Sequence, residues 1–263
     1  MDGVRVFYMW SLIIGAVANI VMAASLIVGM KKYRAFIIYT WARQFTILWL
    51  LVFAAGFLIH AFVDLRSFWP SAAGALTVTY FHLGAICFSW GFTPLLNPKY
   101  LTRRIAIRDT VIFAVGVILC WVAALIWKQT CIFSILPYLI FFTYSIYGAV
   151  VFYKTFHRVS IRLLTMSYGN VSGFVQWMQA CCDVIIFFGI FFVAVVAMFS
   201  KSIRYFTPIT IVIGIGIFSF IVYSLCRYGK VVEDATRATR TVAREYYSPL
   251  SKGSENTNRA PKL

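Results

Sequence analysis

The stretch FTILWLLVFAAGFLIHAFV, residues 45–63, decides the fold. It carries no formal charge, and as a helix rising 1.5 Å per residue it covers about 28 Å. That matches the roughly 30 Å hydrocarbon core of a bilayer. Lipid offers no hydrogen bonds, and a helix satisfies its own backbone. Similar runs lie at about 7–29, 73–96, 110–127, 133–153, 171–199 and 206–225, so the expected fold is all-α, a polytopic membrane protein with seven transmembrane helices. Composition agrees: 62% of residues are hydrophobic and 12% charged, with mean hydropathy +0.84. A soluble domain would be roughly half apolar and about a quarter charged.

The formal net charge of +16 has a membrane explanation rather than a nucleic-acid one. Lys31, Lys32, Arg34 and Arg43 follow the first run. Lys99, Arg103, Arg104 and Arg108 follow the third, and Lys154, Arg158 and Arg162 the fifth. The tail after the seventh adds Arg227, Lys230, Arg237, Arg240, Arg244, Lys252, Arg259 and Lys262, leaving only Arg5, Arg66, Lys128, Lys201 and Arg204 for the other side. Cytoplasmic loops collect Lys and Arg, so the N-terminus is expected outside and the C-terminus inside. The first run is longer than a signal-peptide core, and removing it would leave Lys31–Arg34 on the wrong side.

The tail changes character after Cys226. Val231, Ala235, Ala238, Val242 and Tyr246 share one face of a helical wheel, opposite Lys230, Arg237, Arg240 and Arg244. The expected organisation is a bundle over 1–226, a cytoplasmic amphipathic helix over 227–247 and a disordered tail over 248–263. No output domain is expected after it.

Polar groups inside a membrane cost a few kcal/mol and face other helices or a wet cavity. Ser172, Gln176, Gln179 and Asp183 recur at four, three and four residues along the sixth run, forming one stripe. His82 and Ser89 occupy one face of the third run, with Thr93, and Asn19 sits well inside the first. These residues, Asp183 and Gln179 with Gln176, His82, Ser89 and Asn19, form the expected polar pocket. The competing reading makes them interhelical hydrogen bonds of roughly 0.6 kcal/mol each. Asp183 reads as the only acid well within a span. His60 and Asp64 lie four apart near the end of the second run.

Several functions lack their chemistry. Residues 206–225 contain no Lys for a retinal Schiff base, and no Asn-Pro pair lies there. Only His60, His82 and His157 are present, without ligand spacing, so neither a metal site nor another cofactor is expected. No HExxH and no nucleophile–base pair appears, so the chain does not read as an enzyme. Small sugar transporters built as three plus one plus three helices carry matched prolines, whereas Pro94, Pro137 and Pro208 sit near run ends without such symmetry. Cys87, Cys120, Cys131, Cys181, Cys182 and Cys226 contain no CxxC and read as packing residues.

Two stretches carry a family resemblance: PLLNPKYLTRR at 94–104, and RLLTMSYGN at 162–170 leading into FVQWMQ at 174–179. They resemble the membrane sensor regions that precede helix-turn-helix or kinase outputs in Bacteroides-type regulators. The resemblance implies a bacterial inner-membrane sensor whose last helix relays to the cytoplasm. Because no output domain follows, it also implies a separate partner protein. The expected function is therefore a receptor-like or sensory membrane protein, and the alternative is a small-solute transporter. Val231, Ala235, Ala238 and Val242 would pack on the cytoplasmic output protein or on a second copy, with lipid around the bundle and no nucleic acid.

Overall fold

The computed structural model describes residues 3–126, 135–166, 205–229 and, between 179 and 191, positions 179–180, 183–184, 186–187 and 189–191. All of the long elements among them are helices. We number them α1 (Gly3–Ile27), α2 (Ile37–Val63), the short α3 (Leu65–Phe68), α4 (Pro70–Leu96), α5 (Arg103–Ile126), α6 (Ile135–Met166) and α7 (Tyr205–Gly229). A 3₁₀ turn, Met30–Tyr33, joins α1 to α2. Six helices, α1, α2, α4, α5, α6 and α7, are long and apolar enough to cross a membrane. The seventh expected span, at 171–199, is described only in part, and its described positions are helical. The chain divides into compact units at 1–222 and 223–263, and the relay residues Val231, Ala235, Ala238 and Val242 lie outside the described residues.

Polarity is inverted relative to a water-soluble bundle. Phe7, Trp10, Ile14, Val17 and Val21, spaced three and four apart along α1, are exposed, while Asn19 on the same helix is buried. Val111, Val115, Ile118, Val122 and Leu125 form the same outward stripe on α5. Each large apolar side chain left in water forgoes roughly 1.5–3 kcal/mol, and a hydrocarbon solvent removes that penalty.

The helix ends follow local chemistry rather than hydropathy. Past the end of α1 stands Gly29 at φ +81°, the left-handed conformation that glycine adopts without strain. Helix α4 starts with Pro70 in its first turn and stops before Asn97-Pro98, where Asn97 turns extended as a residue preceding proline must. Thr102 caps α5, its hydroxyl accepting from the Ile105 amide at 3.4 Å. Consequently α5 begins at Arg103, not near residue 110, and Arg108 and Asp109 belong to the helix. Likewise α2 begins at Ile37 rather than near 45, and α6 continues to Met166, well past the apolar run that ends near 153. No Gly or Pro interrupts residues 149–166, so charge ends the apolar run without ending the helix.

In the first unit α2 and α4 stand at the centre, flanked by α1, α5 and α6. Tyr8, Leu12, Ala61 and Ile211 form one core cluster joining α1, α2 and α7. The α2–α4 approach requires glycine at 56: a Cβ there would lie 2.6 Å from Cδ1 of Tyr80. Gly56→Ala is expected to cost about 1–3 kcal/mol through displacement of that ring, read as a lower midpoint of denaturant-induced unfolding in detergent.

Candidate functional site

A cavity of about 80 Å³ lies between α2, α4, α6, α7 and the residues Ile186, Gly189 and Ile190. Its walls are aromatic: Trp49 and Phe53 from α2, Phe88 from α4, Phe141 and Phe152 from α6, and Phe218 from α7. Trp49 and Phe218 meet edge to face at 4.8 Å. Gly84, Gly148 and Gly189 also line it, Gly84 letting Phe53 and Trp49 approach to about 3 Å of where its Cβ would stand. A Cβ at Gly148 or Gly189 would meet nothing within 4 Å. Gly148 thus leaves room that its own helix does not require.

Four hydroxyl groups line this apolar space: Ser89, Thr93, Tyr144 and Ser145. Ser89 shares a 3.1 Å hydrogen bond with the Tyr100 hydroxyl, and burial pushes the Tyr100 phenol above its ordinary pKa, keeping it protonated. The Ser145 hydroxyl oxygen is buried and has no partner among the described residues. Tyr144 lies beside Asp109 behind the wall. Asp109 is 0% exposed and receives Trp90 Nε1 at 2.9 Å. Arg108 donates to its other oxygen through Nε at 2.9 Å and a terminal nitrogen at 2.7 Å. Arg108 also donates to the Tyr147 hydroxyl at 2.8 Å and lies 4.9 Å from that ring's centre. Asp109 and Arg108 together therefore tie α4, α5 and α6, through Trp90 and Tyr147, beside the cavity.

The expected pocket residues separate. Ser89 lines the cavity. His82 is buried against Gly116 of α5 and the rings of Phe113, Phe141 and Tyr144, with Nε2 unpartnered among the described residues, but it is not part of the cavity wall. Asn19 lines a second cavity. Gln179 is exposed, and half-buried Asp183 accepts from the Tyr153 hydroxyl. Gln176 lies outside the described residues. A helical wheel gives a direction around the helix, not the depth at which a cavity lies. Ile186 and Ile190, three and seven residues after Asp183, continue its face and line the space. His60 and Asp64 also part: His60 meets Thr77 at 3.2 Å, while Asp64 pairs with Arg5 at 2.7 Å and accepts from Ser67 at 2.6 Å.

Asp109 escaped sequence reasoning because an apolar-run boundary placed it in a loop, so Asp183 read as the only acid within a span. The signal that finds it is Thr102, a cap residue whose helix carries Asp109 two turns in. Searches against family models, curated proteins and solved structures find no match to this chain.

Proposed function

We propose that this chain is a receptor-like membrane protein that admits the apolar part of a small ligand between its helices. In this reading seven helices span the membrane, with the N-terminus outside. A change in helix packing passes through α7 and the amphipathic tail to a cytoplasmic output protein. The observation that carries the reading is the aromatic cavity, rimmed by a few hydroxyls and walled by helices from across the bundle. Specific small-molecule sites combine apolar walls with a few placed polar groups. Its volume is about half the roughly 150 Å³ of a dry cavity that admits benzene. It suits a chain end or a branched methyl group, with ligand oxygen near Ser145. A ligand favouring one spacing of α2, α4, α6 and α7 shifts their equilibrium by its differential affinity. The resemblance of residues 94–104 and 162–179 to membrane sensor regions points the same way.

The test uses purified full-length protein in lipid nanodiscs, titrated with apolar alcohols of increasing chain length. Binding at 100 times Kd should stabilise the wild type by about 2.7 kcal/mol. Gly148→Leu should retain or slightly raise intrinsic stability, since Gly-to-Leu gains up to about 0.8 kcal/mol of helix propensity. It should abolish ligand-induced stabilisation. Equal stabilisation of both proteins would place the alcohols on the lipid-facing surface and end the reading.

A transporter remains the second reading, because Phe53, Phe81 and Phe218 line both this cavity and a second one. Counterflow of a cavity-binding solute in proteoliposomes favours transport; binding without counterflow favours the receptor.

A further inference from the structure

The second cavity lies among α1, α2, α3, α4 and α7 and has a volume of about 30 Å³. Tyr8 and Asn19, both in its wall, are eleven residues apart on α1, so it follows the helix for about 16 Å. Two buried polar atoms of its lining residues lack partners among the described residues: Oδ1 of Asn19 and Nδ1 of His60. Both residues are only 1% exposed.

The hydrogen-bond network assigns the His60 tautomer. The Thr77 hydroxyl gives its single proton to the Ala73 carbonyl, its nearest acceptor at 2.8 Å. Arg66, which can only donate, reaches the same Thr77 oxygen at 3.2 Å. His60 Nε2, also at 3.2 Å, must therefore donate to that oxygen. A neutral imidazole has one N–H, so Nδ1 is a bare acceptor. Asn19 Oδ1 is an acceptor as well. An unpaired buried acceptor costs about 1–3 kcal/mol, and two in one cavity call for an occupant that donates. Arg66 in the same wall disfavours an ammonium or metal cation by charge repulsion.

We infer that this cavity is a hydrated slot, a binding site for small neutral O–H donors occupied by water that donates to Asn19 Oδ1 and His60 Nδ1. A water needs about 10–15 Å³ by this measure, so about two fit. The slot ends where Phe53, Phe81 and Phe218 separate it from the aromatic cavity, with Phe53 5.0 Å from Phe81 and 5.5 Å from Phe218 between ring centres. That septum divides a compartment with two unpartnered acceptors from a larger one walled mainly by aromatic rings.

X-ray hydroxyl-radical footprinting of the full chain in nanodiscs tests this, because bound water generates radicals beside buried side chains. Tyr80 and Leu12, buried walls of the slot, should be modified at least tenfold faster than Phe141 and Phe152, buried walls of the other cavity. Wild-type protection of Tyr80 equal to that of Phe141 overturns the proposal without any variant. Asn19→Leu combined with His60→Phe should lower Tyr80 modification at least threefold with Phe141 unchanged, and unaltered Tyr80 modification would exclude these acceptors as the water's anchors. Phe218→Ala should raise modification of Phe152, and continued protection of Phe152 would remove the septum. The ligand reading can fail in nanodisc titrations while this slot stands, and the reverse.

Discussion

Arg43→Met is expected to lower the folding stability of the bundle by about 3 kcal/mol, although its straight side chain suits a helix equally well. Arg43 is 3% exposed and enters from α2 beneath the end of α1. One terminal nitrogen donates to the carbonyls of Leu26 and Val28, the latter at 3.1 Å, where a helix C-terminus has no internal donors left. Its guanidinium lies 5.2 Å from the Tyr33 ring centre and 5.7 Å from that of Tyr39. Charged hydrogen bonds contribute about 1.5–3 kcal/mol and partly desolvated cation–π contacts about 0.5–2 kcal/mol. Substituting Lys keeps the charge but not the fork or the stacking plane. Arg43→Lys should therefore recover less than half of the loss. Reversible unfolding in mixed micelles reads both values. A loss below about 0.5 kcal/mol for Arg43→Met would mean that water, not Arg43, satisfies the end of α1.

Asp109→Leu is the second large effect, at about 3 kcal/mol. Removing one member of a fully buried pair costs about 3–5 kcal/mol, but the Arg108 side chain is 38% exposed and can turn outward. The loss then resides mainly in the Trp90 N–H left without its acceptor, at about 1–3 kcal/mol, with the rest from the charged Arg108 hydrogen bonds given up. Asp109→Asn retains an acceptor and should cost about 1 kcal/mol. Because Tyr144 lies beside Asp109 and lines the aromatic cavity, both variants should also weaken ligand binding more than Trp90→Phe, which leaves Asp109 in place. Unfolding midpoints and ligand titrations on the same preparations separate the two effects.

How far the sequence predicted these results depends on which physical signal each feature leaves. The helices are legible because burial in hydrocarbon selects long apolar runs, and residues 45–63 announce α2 without help. Their ends are less legible. Charge terminates hydropathy but not a helix, so hydropathy alone leaves the first turns of α2 and α5 and the last turns of α6 outside their apolar runs. Those turns hold Arg43 and Asp109, two of the most consequential polar residues in the bundle. Among the expected site residues, Ser89 was recognisable by its face on α4. Asn19 and His82 are both buried, and neither could face lipid cheaply. Their separation was invisible because wheel periodicity gives a direction around a helix, never a depth or a partner. The aromatic walls left no distinctive trace, for Phe is abundant on lipid-facing and interior surfaces alike. Gly148 became informative only when its missing side chain proved to face open space.

The most direct test of the ligand cavity is photolabelling of the full chain in nanodiscs with a diazirine-bearing aliphatic alcohol, followed by mapping of the modified residues. The cavity account predicts saturable adducts on α6 around Ser145 and Ala149, lost in Gly148→Leu. Adducts confined to the outward residues Phe7, Trp10 and Val212, and unchanged by Gly148→Leu, would contradict it.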